Sequence, residues 1–220
     1  MKKFLAIVPI FLTAMFLTSC GEEESYIYPD LITEISCLQT DSKGFGTRII
    51  TDEGKVWHLQ EGNRPSKLTA DSTYRVVSRF APIASSEASL SEAKAYSFYS
   101  VIAPLPEPKE KFPIIHTDPV SIQSIWRSGD YLNLILQVKV KDQEHDLSFI
   151  DNGIVPNEDG TNTLTLTLFH NRKGDVEGFN QKCYLSVPLW HYQGKLKQGD
   201  LIVFQLNTYK EGMTSRTFTY

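Results

Sequence analysis

Three cysteines in 220 residues are too few for a disulfide framework, and none stands in a CxxC or Cys/His cluster of the kind that holds zinc. An excess of basic charge is also missing: 22 Lys and Arg stand against 26 Asp and Glu, so no cationic face for nucleic acid is implied. GxSxG, HExxH, a P-loop and a GxGxxG after a strand are all absent, which removes the common hydrolase, metalloprotease and nucleotide-binding signatures. Blocks of helix formers are few and aromatics make up 11% of the chain, a balance that predicts an all-β protein. Long apolar runs are scarce too. The one at Phe4 to Leu17 spans about 14 residues, enough for the core of an export signal and short for a membrane span.

That run follows Lys2 and Lys3 and ends in Leu17, Thr18, Ser19 and Cys20. The pattern resembles the lipobox of bacterial lipoproteins, in which small residues lead to a cysteine that is acylated and becomes the mature N-terminus. Residues 1–19 are therefore expected to be a lipoprotein signal peptide and Cys20 the lipid anchor. Gly21 is followed by Glu22, Glu23 and Glu24, which resembles the acidic export tag that Bacteroidota place after the lipidated cysteine. It predicts an outer-membrane lipoprotein displayed on the cell surface, with the periplasmic leaflet as the alternative. Without residues 1–19 two lysines are lost, leaving 20 basic against 26 acidic side chains and a formal charge of −6.

Residues 20–30 read as an acidic tether. Beyond them come candidate strands at Leu31 to Gln39, at Ser72 to Ile83 and at Ala93 to Leu105. "GTRIITDEGKVWHL" reads as a hairpin turning at Asp52, Glu53 and Gly54, and "SSEASLSEAK" as room for one short helical turn. Five short strands over residues 31–104 predict a small closed barrel. Residues 105–113, inside "PLPEPKEKFP", are rich in proline and read as a semi-rigid linker. From 114 to 220 the alternation is cleaner. Leu132, Leu134, Leu136, Val138 and Val140 fall on one strand face, and Leu164, Leu166 and Leu168 on another. "HDLSFI", "KCYLSVPLW", "DLIVFQLNTY" and "SRTFTY" supply further strands, which predicts an antiparallel β-sandwich with one face of each sheet buried.

The succession of lipobox, "GFGTRIITDEGKVWHL", "YRVVSRF", "YLNLILQVKV", "LFHN" and "YLSVPL" resembles the NigD-like lipoproteins of Bacteroidota over nearly the whole mature chain. The resemblance implies a barrel of the OB type followed by an immunoglobulin-like β-sandwich. It implies no catalytic residue, and the bacteriocin locus behind the family name implies a role in immunity or secretion.

Few side chains stand out as sites. His145 is in phase with Leu147 and Phe149, and His170 with Leu164, Leu166 and Leu168, so both are expected to point into the sandwich as core or turn residues or as half of a metal site. Asn171 is expected to shape a turn. The cluster Asp151, Asn152, Asn157, Glu158, Asp159 and Gly160 lacks EF-hand spacing and reads as a polar hairpin loop. Asp52 and Glu53 are expected to be solvated in their turn. Trp57, Tyr96, Phe98 and Tyr99 could stack bases, but the charge balance supplies no groove, so nucleic acid is not an expected partner. Trp57 or Trp190 could serve a glycan platform, since OB barrels also bind oligosaccharides. Cys37 and Cys183 lie in alternating apolar segments and are expected as free thiols. Altogether the sequence predicts a non-enzymatic, lipid-anchored protein without cofactor or metal, which binds an envelope or extracellular protein or a glycan.

Overall fold

Period-two alternation becomes two β units in the computed structural model, which describes residues 29–84 and 90–220. Cys20 and the glutamates 22–24 lie outside the described residues, as do residues 85–89 of the expected helical turn.

The first unit is a closed barrel of β1 (Ile32–Thr40), β2 (Gly46–Ile50), β3 (Val56–Leu59), β4 (Thr73–Ile83) and β5 (Glu92–Ser100), joined in the order β1-β2-β3-β5-β4. Closure leaves no free edge along the sheet. Inside it Leu38, Ile49, Leu59 and Phe80 are at most 2% exposed, with Trp57 packed on Phe80 at 5.5 Å between ring centroids. The hairpin turns where expected: Gly54 takes a φ of +83° and donates its N–H to the Thr51 carbonyl at 3.0 Å. This is the small OB-like barrel that the sequence predicted.

The second unit is the predicted β-sandwich. One sheet has the order β13-β12-β10-β9-β6, from β6 (Glu107–Pro108), β9 (Asp146–Pro156), β10 (Asn162–Asn171), β12 (Leu201–Thr208) and β13 (Gly212–Thr219). The other, β11-β8-β7, is built from β7 (Ser121–Ser128), β8 (Tyr131–Val140) and β11 (Phe179–Pro188). Leu132, Leu134 and Leu136 on one sheet meet Leu164, Leu166 and Phe204 on the other, all fully buried.

Three features depart from the sequence reading. The pairing is not wholly antiparallel: β10 and β12 run parallel because β11, between them in sequence, crosses to the other sheet. Residues 105–113 are not a free-standing linker, since β6 pairs in parallel with β9. Pro108 is tolerated there because a sheet-edge residue can leave one side of its backbone unpaired. Finally, β7 carries no clean alternation because a bulge between Ile122 and Ser124 shifts its register.

The sheet β11-β8-β7 is covered on both faces. Its inner face packs on the other sheet, and its outer face meets the barrel, where Ile35, Val77 and Val101 cluster with Trp126 and Tyr184.

Candidate functional site

Asp52 in the β2–β3 turn and Arg75 on β4 are both carried on the barrel toward that outer sheet face. The guanidinium meets the carboxylate end-on, with Nη1 to Oδ1 at 2.6 Å and Nη2 to Oδ2 at 2.8 Å. Each side chain is 5% exposed, so the turn does not leave Asp52 solvated as its sequence position suggested. Two strands of the sandwich complete the shell. Arg75 Nη2 donates to Asn133 Oδ1 on β8 at 3.0 Å, and Nε donates to Ser186 Oγ on β11 at 3.1 Å. Asn133 Nδ2 donates to Asp52 Oδ2 at 2.9 Å, and Ser186 Oγ donates to Asn133 Oδ1 at 2.6 Å. The Tyr131 ring lies 3.7 Å from the guanidinium carbon, and Cys37 Sγ sits 3.6 Å from both the Tyr131 hydroxyl and Arg75 Nη1.

Burial works against the Arg75 charge, but the Asp52 carboxylate outweighs it and pushes the guanidinium up. Burial, followed by the contact with Cys37, pushes the Tyr131 phenol up to about 12. Neither Arg75 nor Tyr131 can serve Cys37 as a base at neutral pH. Backbone contact reinforces the joint: a Cβ on Gly129, whose φ is +52°, would lie 2.3 Å from the Asp52 carbonyl oxygen.

Cavities open on either side of this network. One, of about 280 Å³, is lined by Glu34, Asp52 and Glu53 together with Ile35, Trp126 and Tyr184 among others. Burial, then the neighbouring Glu53 and Asp52 carboxylates, raises the Glu34 carboxyl. The other, of about 400 Å³, includes Cys37, Tyr74, Arg75, Tyr131, Pro188 and Trp190 in its lining.

The two expected histidines come together in the sandwich, His145 Nδ1 lying 2.9 Å from His170 Nε2. His170 Nδ1 faces the Asp118 carbonyl at 2.8 Å. A carbonyl only accepts, so His170 Nδ1 carries the proton and Nε2 accepts from His145. His145 Nε2 has no hydrogen-bond partner and lies 3.4 Å from Asp175 Oδ2. Burial lowers the His170 imidazole, and the neighbouring His145 adds to that effect. Burial would raise Asp175, but backbone N–H groups of Lys141, Asp142, Gln143 and Val176 hold it far below the usual carboxylate range. Among the described residues no group of three or more His, Cys, Asp or Glu is placed to hold a metal ion.

The other candidates separate. Trp57 is 7% exposed in the barrel core and is no platform for a glycan, whereas Trp190, on a 3-10 turn at Leu189–Tyr192, is 45% exposed beside the second cavity. Asn171 accepts from the Lys173 N–H at 2.8 Å and shapes its turn. Asp159 organises the β9–β10 hairpin through Thr161, while Asp151 and Asn152 turn away to bond Tyr192 and Thr167. Cys37 and Cys183 are free thiols. Sequence reasoning missed Arg75, Asn133, Ser186 and Tyr131. The signal that could have found their sheet face was Ile135, an apolar residue out of phase between Leu134 and Leu136.

The NigD-like C-terminal beta sandwich domain matches residues 102–220, which is more than half of the chain. The chain belongs to the NigD-like family. A solved NigD-like immunity protein from Bacteroides caccae ATCC 43185 is 27% identical, with a TM-score of 0.69 over 89% of this chain and 99% of its own. A protein of unknown function from Bacteroides vulgatus ATCC 8482 shares the fold, with 18% identity and a TM-score of 0.66 over 86% of this chain and 90% of its own. No curated protein matches this NigD-like chain. Among its described residues no helix is long and apolar enough to cross a membrane.

Proposed function

We propose that this NigD-like chain is a lipid-anchored envelope protein that acts by binding a macromolecular partner and not by catalysis. Cys20 carries the anchor, and Glu22, Glu23 and Glu24 direct the protein to the cell surface. The observation that supports the binding role is the seam, where buried contacts from both units frame cavities open to solvent on either side. A single acyl chain gives only marginal membrane binding, so the multiple acylation of a lipoprotein cysteine is needed for stable attachment. Cys20→Ser should move the protein from the membrane to the soluble fraction, and unchanged partitioning would remove the anchor.

A more specific reading is immunity: the partner is a toxic protein or peptide, and its capture protects the cell. The likeness to the B. caccae immunity protein favours this reading. The test is a deletion strain challenged with antibacterial secretions of neighbouring strains. Increased sensitivity, restored by the wild-type protein and not by Cys20→Ser, is the expected result. Unaltered sensitivity would remove the immunity role. The carbohydrate alternative loses Trp57 to the barrel core and retains only Trp190 of its proposed platform.

A further inference from the structure

The cavity holding Glu34 has an apolar floor and an acidic lip. Ile35 and Val77 reach it from the barrel, and Trp126, Ile135 and Tyr184 from the sandwich. Its acidic lining groups are Glu34, Asp52 and Glu53, and neither Lys nor Arg is part of the lining. Asp52 is matched by Arg75. Glu34 and Glu53 form no ion pair among the described residues, and Glu53 accepts only a neutral donor in this groove, Ser128 Oγ at 3.2 Å. The ammonium of nearby Lys55 lies 3.8 Å from the centre of the Trp57 ring. The groove thus presents carboxylates without an ion-pair partner beside the half-buried side chains of Trp126, Ile135 and Tyr184, with Ile35 and Val77 buried beneath them. Burial and the neighbouring acids raise Glu34 against the opposing pull of Lys55, whereas hydrogen bonds from its own backbone, Thr51 and Ser128 lower Glu53.

We propose that this seam groove docks a cationic, apolar peptide segment, with a Lys or Arg side chain at the Glu34/Glu53 lip and flanking aliphatic side chains on Trp126, Ile135 and Tyr184. At about 280 Å³ the cavity falls just below the range of about 300–1,000 Å³ typical of small-molecule pockets, a size suited to inserted side chains. Charge complementarity selects the sign of the segment, and the apolar floor supplies contact area. The inference rests on the reading of this protein as a binder and names the chemistry of its partner.

The experiment uses the full mature protein and a labelled, end-capped hexapeptide of alternating leucine and lysine, read by fluorescence anisotropy. A hexapeptide of leucine and glutamate is the charge-reversed probe. Saturable binding of the lysine peptide, weakened by added salt, is expected. The near-isosteric pair Glu34→Gln/Glu53→Gln should weaken it about tenfold or more, the scale of losing one charge-assisted contact. The pair Glu107→Gln/Glu110→Gln, at β6 and the turn after it, should leave affinity unchanged. Circular dichroism confirms that each variant remains folded. The proposal is overturned by absence of saturable binding up to about 1 mM, by equal affinity for the glutamate peptide, or by an equal loss in the Glu107/Glu110 variant. The deletion challenge tests the immunity reading separately: its failure leaves the peptide measurement decisive for the groove, and a groove without affinity leaves the challenge result standing.

Discussion

The cluster around Arg75 and the cluster around His170 both bury charge, but they draw their partners from different distances. Asp52 and Arg75 are satisfied only when β8 and β11 of the sandwich bring Asn133 and Ser186 against the barrel. Asp175 is served chiefly by backbone N–H groups of nearby turns, and His145 beside it keeps an unpartnered nitrogen. The seam therefore makes the charge of one unit depend on the presence of the other. The histidine cluster is local to the sandwich, and its response to pH is local too. Charge used to join units must have every donor and acceptor met across the joint, because a half-satisfied network in low dielectric is worse than an apolar one.

The largest expected effect comes from breaking the seam. Arg75→Ala strands the Asp52 carboxylate and should destabilise the protein by about 3–5 kcal/mol, measured by urea unfolding. A double-mutant cycle with Asp52→Ala should recover much of that loss, since the two side chains act as one unit. A smaller loss, about 1–3 kcal/mol, is expected for Gly129→Ala, which forces a methyl group against the Asp52 carbonyl at a φ of +52°. Loss of less than a few tenths of a kcal/mol would mean that the barrel and sandwich do not press together at this turn.

The same contrast separates what was legible in the sequence from what was not. Leu132, Leu134 and Leu136 announced the sandwich core because side chains alternate on a strand, and His145 and His170 were placed correctly by their phase with buried neighbours. Trp57 was open to two readings, and only the closed barrel decides for the core. The strand at Ser121–Ser128 was missed because its bulge breaks the period, so Trp126 went unplaced. Arg75 and Asn133 are 58 positions apart, and nothing local marks either as half of a pair. Asp52 was misread for a physical reason: turn residues are usually solvated, and a second unit docked on the turn overrides that tendency.

Gentler perturbations probe the local side of the comparison. His170 is held below the ordinary value of 6.5, so it binds fewer protons folded than unfolded, and stability should fall as pH drops below about 6.5. His170→Gln should flatten that part of the stability–pH curve while leaving the seam intact. Asp175, also lowered, stabilises fully above its unfolded value near 3.8 and loses that contribution as pH falls further. The smallest effect belongs to Tyr131. Its raised phenol favours the folded state below the ordinary value of 10.0 and loses that contribution as pH climbs toward about 12. Tyr131→Phe should remove one late-titrating tyrosinate from the alkaline absorbance curve.

The most direct test of the central claim, that the buried Asp52–Arg75–Asn133 network couples the barrel to the sandwich, is calorimetric unfolding of wild type and Arg75→Ala side by side. The account predicts one cooperative transition in the wild type and two resolved transitions in the variant, the barrel and the sandwich each melting on its own. Two independent transitions in the wild type, or a single unshifted transition in the variant, would contradict it.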